Sequence, residues 1–317
     1  RRFMRRAQPR VGILMETELW PNLIHAAARA DVPLVLANAR LSARSARGYA
    51  RLRGLTRACL ERVALVAAQA EADAARLRSL GAMTVQVTGN LKFDIAPPPE
   101  LLERGAAWKA QWGQRPVLVA ASTREGEEAL LLRAFAATAP AEVLLVLVPR
   151  HPQRFDEVAA LIEAAGLPCQ RRSALDGQAL QPDTRVLLGD SLGELFAYYA
   201  ACDVAFVGGS LAPLGGQNLI EAASVGRPVL VGPHTFNFEE ATRQAIEAGA
   251  ALRVENASEL MRAALRLLRD EPRRTAMGDV ARTFAQAHRG ATQRTMAAIE
   301  TQLAVPYRHA SPLMEGE

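Results

Sequence analysis

The stretch from residue 203 to residue 233 restricts the fold more than any other part of the sequence. An apolar run (204–207) is followed by a glycine-rich turn (208–216), a helical segment (218–226) and a second apolar run (229–233). Strand, turn, helix and strand in this order predict a βαβ unit with parallel strands. Its turn joins the carboxyl end of a strand to the amino end of a helix, where unpaired N–H groups and the helix dipole favour an anion.

Glycine suits a phosphate-binding turn because it tolerates positive φ and lets a ligand approach the backbone. We therefore predict that Gly208, Gly209 and Ser210 contact a phosphate group. Glu221, one turn into the helix, is placed to accept hydrogen bonds from a ribose diol. The alternative is a tight turn in an ordinary sheet, and this pattern alone leaves both interpretations open.

Apolar strands and helical segments alternate along the rest of the chain, which is typical of a doubly wound α/β fold. The run Ala-Pro-Pro-Pro-Glu predicts a linker, because consecutive prolines exclude a helix interior or a central strand. The predicted organisation is a partial first domain (1–95), the linker (96–100), a second domain (101–304) and a frayed tail (305–317). Two such domains imply a cleft lined by strand-end loops.

The composition is typical of a globular protein, with 50% hydrophobic and 22% charged residues among 317. No stretch of about 18 apolar residues lacks a charge, so no transmembrane helix is predicted. Cys59, Cys169 and Cys202 are scattered singly and match neither a zinc site nor a disulfide framework, which favours a reducing compartment. The chain begins at Arg1 and runs at once into a strand, so we interpret it as the interior of a longer protein.

Positive charge is concentrated at the start of the chain. Residues 1–62 contain 13 arginines and four acidic residues, a net charge of +9, whereas the whole chain carries +5. A basic segment of this kind favours an anionic partner, either an anionic membrane surface, a phosphorylated substrate or nucleic acid. Nucleic acid is the weakest of these because no aromatic residues interleave with the arginines. A solvated basic face remains the alternative.

Two further strand-end loops of the second half carry polar groups. Arg150 supplies a planar guanidinium suited to phosphate or carboxylate. The loop at residues 191–194 opens a helix, so its backbone N–H groups are predicted donors. Each loop alone is compatible with ordinary capping. Together with the glycine-rich turn they predict a site for a nucleoside monophosphate.

Several ordered motifs resemble one family: ETELWPN (16–22), GNLKFD (89–94), PRHP (149–152), GGS (208–210) and NLIE (218–221). They resemble the 3-deoxy-D-manno-octulosonic acid (Kdo) transferases of lipopolysaccharide biosynthesis over nearly the whole chain. The resemblance implies a GT-B fold, with two Rossmann-like doubly wound domains facing a cleft, the first incomplete here. It also implies inverting transfer of Kdo from CMP-Kdo to lipid IVA at the cytoplasmic face of the cell inner membrane, with no cofactor and no metal ion.

The resemblance also assigns residues. CMP contacts fall on Pro149, Arg150, Leu192, Gly193, Glu194, Asn218, Leu219, Ile220 and Glu221. Support of the transition state falls on Glu16 and Lys92, although Glu18 is close enough to Glu16 to compete for the role. Arg40 and Arg44 are acceptor-side candidates for a lipid A phosphate or the Kdo carboxylate. His151 and His234 lie beside prolines and lack partners at metal-ligand spacing.

One departure concerns the start of the family pattern. The resemblance implies an amino-terminal anchoring helix and a glycine-rich loop whose glutamate is the general base, and neither precedes the first strand here. We therefore expect residues 1–317 alone to bind CMP at best weakly and to transfer nothing.

Two other interpretations remain open. One is another GT-B glycosyltransferase or a sugar-nucleotide epimerase that uses a UDP-sugar, and the other is a non-catalytic membrane-docking module.

Overall fold

The computed structural model describes residues 2–113, 115–175 and 177–304. The predicted tail at 305–317 lies outside these residues. The described chain divides into two compact units: unit 1 contains residues 2–94 and 288–304, and unit 2 contains residues 95–287.

The strands are β1 (Gly12–Met15), β2 (Leu34–Ala39), β3 (Leu65–Ala68), β4 (Val85–Val87), β5 (Val117–Thr123), β6 (Leu144–Pro149), β7 (Cys169–Arg171), β8 (Val186–Leu188), β9 (Val204–Val207), β10 (Val229–Val231) and β11 (Ala251–Arg253). The α-helices are α1 (Arg2–Ala7), α2 (Pro21–Ala28), α3 (Ala43–Arg51), α4 (Arg53–Leu60), α5 (Glu71–Ser79), α6 (Pro99–Gln111), α7 (Glu127–Thr138), α8 (Phe155–Ala164), α9 (Leu195–Ala201), α10 (Leu219–Ser224), α11 (Glu239–Glu247), α12 (Ala257–Arg269), α13 (Glu271–Ala287) and α14 (Ala291–Ala304).

Unit 1 is built on a parallel sheet in the order β1-β2-β3-β4. All residues of β2 and β3 are buried, which explains their unbroken apolar sequence, since a parallel strand with both faces covered needs apolar residues at every position. The main core of this unit collects side chains from β1, β2 and β3 and from the helices between them, including Leu14, Ile24, Leu36, Leu60 and Val66.

Unit 2 is built on a parallel sheet in the order β11-β10-β9-β5-β6-β8-β7. From β5 the chain proceeds to β6 on one side, and from β9 it proceeds to β10 on the other side. Because parallel crossovers are right-handed, this reversal places the helices that follow β5 and β9 on opposite faces of the sheet. The predicted doubly wound α/β organisation is confirmed, and β5 and β9 flank its topological switch point.

The proline-rich segment is shorter as a linker than the sequence predicted. Helix α6 begins at Pro99, with Pro98 at its N-cap, so residues 99 and 100 belong to the helix and only 96–98 precede it. Proline is accepted in a first helical turn because the N–H group it lacks would have no partner there. Gly105 of α6 then packs against the backbone of α9 at Ala197.

The second domain also ends earlier than predicted, because residues 288–304 belong to unit 1. In α14, Ala298 and Ile299 pack against Val35 and Leu65 of the first sheet. The apolar stripe of α14 fits any parallel sheet, so helical periodicity indicated the element but not the core that receives it.

In the part of the chain that the structure describes, no helix is long and apolar enough to cross a bilayer.

Candidate functional site

The carboxyl edge of the unit 2 sheet gathers the predicted strand-end residues. Pro149 is the last residue of β6, and Arg150 follows it with an exposed side chain. The Arg150 N–H donates to the Thr123 carbonyl at 3.0 Å, which ties the ends of β5 and β6 together. The guanidinium is therefore presented from a fixed backbone at the edge where α/β sheets bind ligands.

Asn218 organises the start of α10. Its Oδ1 accepts the Ile220 N–H at 3.1 Å, and its Nδ2 donates to the Glu221 carboxylate at 3.1 Å. Leu219 and Ile220 are buried, so their side chains serve the core and only their backbones are left for a ligand. The predicted cluster of four residues thus separates into two polar side chains and two packing residues.

Glu221 and Arg150 act on each other electrostatically. Burial raises the pKa of the Glu221 carboxyl above its usual value, and the hydrogen bond from Asn218 and the charge of Arg150 oppose this rise only in part. A half-buried carboxyl with one amide donor keeps acceptor capacity for a further hydroxyl. The arrangement therefore offers a cation for an anionic group beside an acceptor for a diol.

Side-chain contacts hold the loop at residues 191–194 in place. Ser191 Oγ lies 2.7 Å from the hydroxyl of Tyr198, and burial raises the pKa of that phenol. The Glu194 carboxylate pairs with Arg104 at 2.9 Å and with Arg172 at 3.3 Å. The Arg172 guanidinium in turn lies 4.6 Å from the Trp108 ring centroid. The side chain of Glu194 therefore supports the loop.

The backbone of the same loop is open to a ligand. Leu192 is 72% exposed, and Gly193 has a φ of 77°, a conformation that favours glycine. Within residues 2–113, 115–175 and 177–304, no acceptor bonds the N–H groups of Leu192 or Gly193. These two donors satisfy the expectation that the loop offers N–H groups.

Within the glycine loop (residues 208–216), three consecutive N–H groups are bonded to another side chain of the protein. The N–H groups of Gly209, Ser210 and Leu211 donate to the carboxylate of Glu127 at 2.6, 2.9 and 2.8 Å. Ser210 Oγ donates to the Val207 carbonyl at 2.6 Å. Gly208, Gly209 and Ser210 stay predicted phosphate contacts, with the Glu127 carboxylate already accepting the N–H groups of Gly209 and Ser210.

Glu127 was not singled out from the sequence. Glutamate is frequent in first helical turns because it complements the helix dipole, so its type and position carry no further signal. Its burial and its partners, 82 to 84 residues away along the chain, arise only in the folded sheet.

In unit 1 the structure brings Glu16 and Lys92 together, with Nζ and Oε1 4.0 Å apart. Glu16 follows β1 directly, and Lys92 lies on the 3₁₀ turn Leu91–Phe93 after β4. Their side chains are 41% and 38% exposed, and an ion pair so exposed adds little stability. Both charged groups are thus partly open to solvent.

Glu18 is separated from this pair. Its carboxylate accepts the Trp20 indole N–H at 3.0 Å on the exposed surface. Arg40 lines the same small recess as Glu16, together with Tyr49, whose hydroxyl donates to the Thr17 carbonyl at 3.0 Å. Arg44 lies exposed in the first turn of α3. The geometry therefore favours Glu16 over Glu18 as the partner of Lys92.

Asn38 fixes the Lys92 turn. Its Oδ1 accepts the Leu91 N–H at 3.1 Å, and the Asn90 side chain accepts the Lys92 N–H at 3.0 Å. Asn38 and Glu16 both have positive φ, 51° and 58°. Non-glycine residues in this region are strained, and such strain concentrates at functional sites. Asn38 was not singled out from the sequence.

His151 is exposed and His234 is half-buried, each beside a proline. Within the described ranges no three His, Cys, Asp or Glu side chains are grouped so that they could hold a metal ion.

Comparison with known proteins connects both units to one family. The family model described as 3-deoxy-D-manno-octulosonic-acid transferase (kdotransferase) matches residues 1–95. The 3-deoxy-D-manno-octulosonic acid transferase of Bordetella pertussis is 52% identical over 308 residues, which cover 96% of this chain and 72% of the relative.

Solved structures agree. The C-terminal CMP-Kdo binding domain of WaaA from Acinetobacter baumannii is 34% identical, with a TM-score of 0.56, and the match covers 59% of this chain and 98% of that domain. HepE from Anabaena, solved in complex with UDP, matches with a TM-score of 0.62 at 17% identity over 92% of this chain and 78% of its own. The latter likeness concerns the fold alone, and together the two structures confirm the predicted GT-B class. With about half of its residues identical to a relative that it covers to more than two thirds, this chain belongs to the 3-deoxy-D-manno-octulosonic acid transferase family of glycosyltransferases.

Proposed function

We propose that this chain belongs to an enzyme that transfers Kdo from CMP-Kdo to lipid IVA in lipopolysaccharide biosynthesis, with inversion at the anomeric carbon and without a metal ion. The observation that carries the proposal is that Arg150, directly after β6, and Glu221, in the first turn of α10 after β9, both lie at the carboxyl edge of the unit 2 sheet. A domain described as CMP-Kdo binding matches 59% of this chain. The donor class therefore rests on geometry and likeness together.

Each group at the unit 2 sheet edge has a separate role toward the donor. The Arg150 guanidinium neutralises the single phosphate of CMP. The N–H groups of Leu192 and Gly193 donate to the nucleotide, since no described residue accepts them. The Glu221 carboxylate accepts from the ribose diol, while Asn218 holds it in place.

The reaction is a displacement at the anomeric carbon of Kdo. An acceptor hydroxyl forms the new glycosidic bond as the bond to the phosphate oxygen breaks, and CMP leaves with the electron pair. The hydroxyl proton passes to a general base, for which the resemblance implies a glutamate. Lys92 and Glu16 provide opposite fixed charges, so we assign them to the charges that develop in this transition state.

Unit 1 also carries the proposed acceptor and membrane contacts. Arg40, beside Glu16, and Arg44 on α3 are suited to the phosphates of lipid A or to a Kdo carboxylate. The basic first segment is suited to an anionic membrane, which agrees with a location at the cytoplasmic face of the inner membrane.

Calorimetry with free nucleotides tests the donor assignment. We expect CMP to bind, and Arg150→Ala to weaken it by about tenfold to a hundredfold, the range for a hydrogen bond to a charged group. Arg133→Ala is the matched control, because Arg133 is an exposed arginine of α7 away from these loops. Binding of UDP in preference to CMP contradicts the proposal and favours a UDP-sugar enzyme.

A transfer assay on residues 1–317 tests the separate expectation that this stretch alone is inactive. Product formation at a normal rate contradicts the assignment of the base. A chain that binds vesicles but neither CMP nor UDP supports the membrane-docking alternative.

A further inference from the structure

The carboxylate of Glu127 is held like a bound anion. Its Oε2 accepts the N–H groups of Gly209 at 2.6 Å and Arg124 at 2.9 Å. Its Oε1 accepts those of Ser210 at 2.9 Å and Leu211 at 2.8 Å. Four backbone donors on one carboxylate are the arrangement that glycine-rich turns otherwise provide for phosphate.

This carboxylate lies at the topological switch point of the sheet. Glu127 begins α7, which follows β5, and its partners follow β9, the neighbour of β5. Open α/β sheets bind their ligands in the crevice at this point, because the helices on either side diverge there. The Glu127 side chain therefore occupies the position at which sheets of this type commonly bind an anionic ligand. We call this the anion position.

The anion position is occupied by Glu127 and is also shielded from solvent. Glu127 and Ser210 are 0% exposed, and the glycine loop is tied by bonds from Gly216 N–H to Gly209 carbonyl at 2.6 Å and from Gln217 N–H to Gly208 carbonyl at 3.1 Å. A Cβ on Gly208 would lie within 2.6 Å of the Thr123 Cα, so the ends of β9 and β5 touch directly. A second ligand phosphate could therefore reach the N–H groups of Arg124, Gly209, Ser210 and Leu211 only by displacing Glu127.

We propose that Glu127 is a specificity-determining residue that restricts the donor to a nucleoside monophosphate. This inference rests on the proposed function, since it assumes that a nucleotide phosphate binds beside Arg150. The fixed carboxylate removes the N–H groups that a second phosphate needs, and its negative charge repels that phosphate. Unpaired like charges and occupied donors are the usual means of rejecting a wrong ligand.

The test compares CMP and CDP affinities by calorimetry in the wild-type chain, Glu127→Ala and Glu127→Gln. We expect wild type to prefer CMP, and both substitutions to raise CDP affinity relative to CMP by about tenfold, because each removes the charge. Glu128→Ala is the matched control. Glu128 is equally buried, but its carboxylate pairs with Arg154 at 2.6 Å and not with the glycine loop.

Inorganic phosphate supplies a second measurement that does not depend on the nucleotide. Glu127→Ala leaves four N–H donors around a space, so phosphate should raise its Tm, or restore folding if the variant is unfolded without it. Wild type and Glu128→Ala should show no such rise. An unchanged CDP-to-CMP ratio in both Glu127 variants, or no response of Glu127→Ala to phosphate, overturns the inference.

The outcomes separate this inference from the proposed function. If wild type binds no CMP, the donor assignment fails, whereas the phosphate response of Glu127→Ala still reports on the anion position. If wild type binds CMP and the ratio of CDP affinity to CMP affinity is the same in the Glu127 variants, the donor assignment stands and the proposed role of Glu127 is wrong.

Discussion

At the residue scale, two acids of unit 2 have opposite surroundings. Glu127 is fully buried and saturated by backbone N–H groups, whereas Glu221 is half-buried with one amide donor. A partly buried carboxylate with few hydrogen-bond donors is unfavourable in its charged form. Burial accordingly raises the pKa of the Glu221 carboxyl. We therefore expect Glu127 to serve structure and selection, and Glu221 to meet a ligand.

Glu221 should make the stability of the ligand-free protein depend on pH. Because its pKa is raised in the folded state, the folded protein holds this proton more tightly than the unfolded chain does. The stability that Glu221 contributes is therefore complete below the usual glutamate pKa of about 4.3 and is lost as pH rises through the raised value. Glu221→Gln should flatten this decline in thermal melts from pH 4 to 8.

Glu163→Gln on the exposed face of α8 is the control for that series and should leave the profile as in wild type. A Glu221→Gln profile that keeps the wild-type decline contradicts the assignment. The same variant should bind CMP more weakly, because an amide replaces the acceptor proposed for the ribose.

Lys92 and Glu16 should affect turnover and not donor affinity. In the protein as the cell makes it, Lys92→Ala or Glu16→Gln should lower kcat by about 10²–10³-fold, the usual cost of losing one charge-stabilising group. CMP affinity, measured by calorimetry, should remain unchanged. Glu18→Gln is the matched control, since Glu18 bonds Trp20. Equal loss of kcat in the Glu18 variant would remove the distinction between the two acids.

At the scale of elements, the last helix supports the turn that carries Lys92. The carboxylate of Asp94 accepts the N–H groups of Gly290 at 2.5 Å and of Thr292, at the start of α14. Burial tends to raise the pKa of Asp94, but these hydrogen bonds outweigh it and hold the pKa below its usual value. Arg294 Nε donates to the Thr88 carbonyl at 2.8 Å, and the Phe93 ring stacks on His288 at 4.7 Å between centroids.

Loss of this cap should destabilise the fold. Asp94→Ala should cost about 1–2 kcal/mol, as expected for a helix cap, and should lower Tm by a few degrees. Since the pKa is lowered in the folded state, the stabilisation is present at neutral pH and is lost as pH falls through that lowered value. Thermal melts at pH 7 and pH 3 should therefore differ less in the variant than in wild type.

Asp279→Ala provides the control for Asp94. Asp279 is an exposed acid of α13 whose ion pair with Arg282 spans 3.8 Å, so its removal should change stability by less than about 0.5 kcal/mol. If both substitutions had the same effect, α14 would not depend on Asp94.

At the scale of the whole molecule, positive charge and exposed apolar side chains are concentrated in unit 1 of the described residues. Helix α1 carries Arg2, Arg5 and Arg6 with Phe3, which is 67% exposed, and Trp20 is 56% exposed. Basic residues beside exposed aromatics are suited to an anionic lipid surface, where each cation contributes about 1 kcal/mol.

Reversing the charge of α1 should release the protein from membranes. Replacing Arg2, Arg5 and Arg6 by glutamate should abolish co-sedimentation with phosphatidylglycerol vesicles at low salt, and 0.5 M salt should weaken wild-type binding through screening. The matched control replaces Arg262, Arg266 and Arg269 of α12 in unit 2. Equal loss in both triple variants would indicate non-specific attraction.

The sequence by itself determined the elements, the fold class and most of the strand ends. Unbroken apolar runs such as β2 and β9 are typical of buried parallel strands, and the segments that follow them pointed to Arg150 and Glu221, whereas Glu16 and Lys92 came from the family resemblance. These signals are local, because they depend on periodicity and on the residues that follow a strand.

Only the tertiary structure decided which core receives α14, and which group fills the anion position of the glycine loop. An amphipathic helix fits any apolar sheet face, so its partner depends on packing and on the distant cap at Asp94. The glycine loop and Glu127 lie more than 80 residues apart along the chain and meet only because β5 and β9 are neighbours. Pairing between strands so far apart in sequence is a property of the assembled sheet, and the pattern of either segment does not contain it.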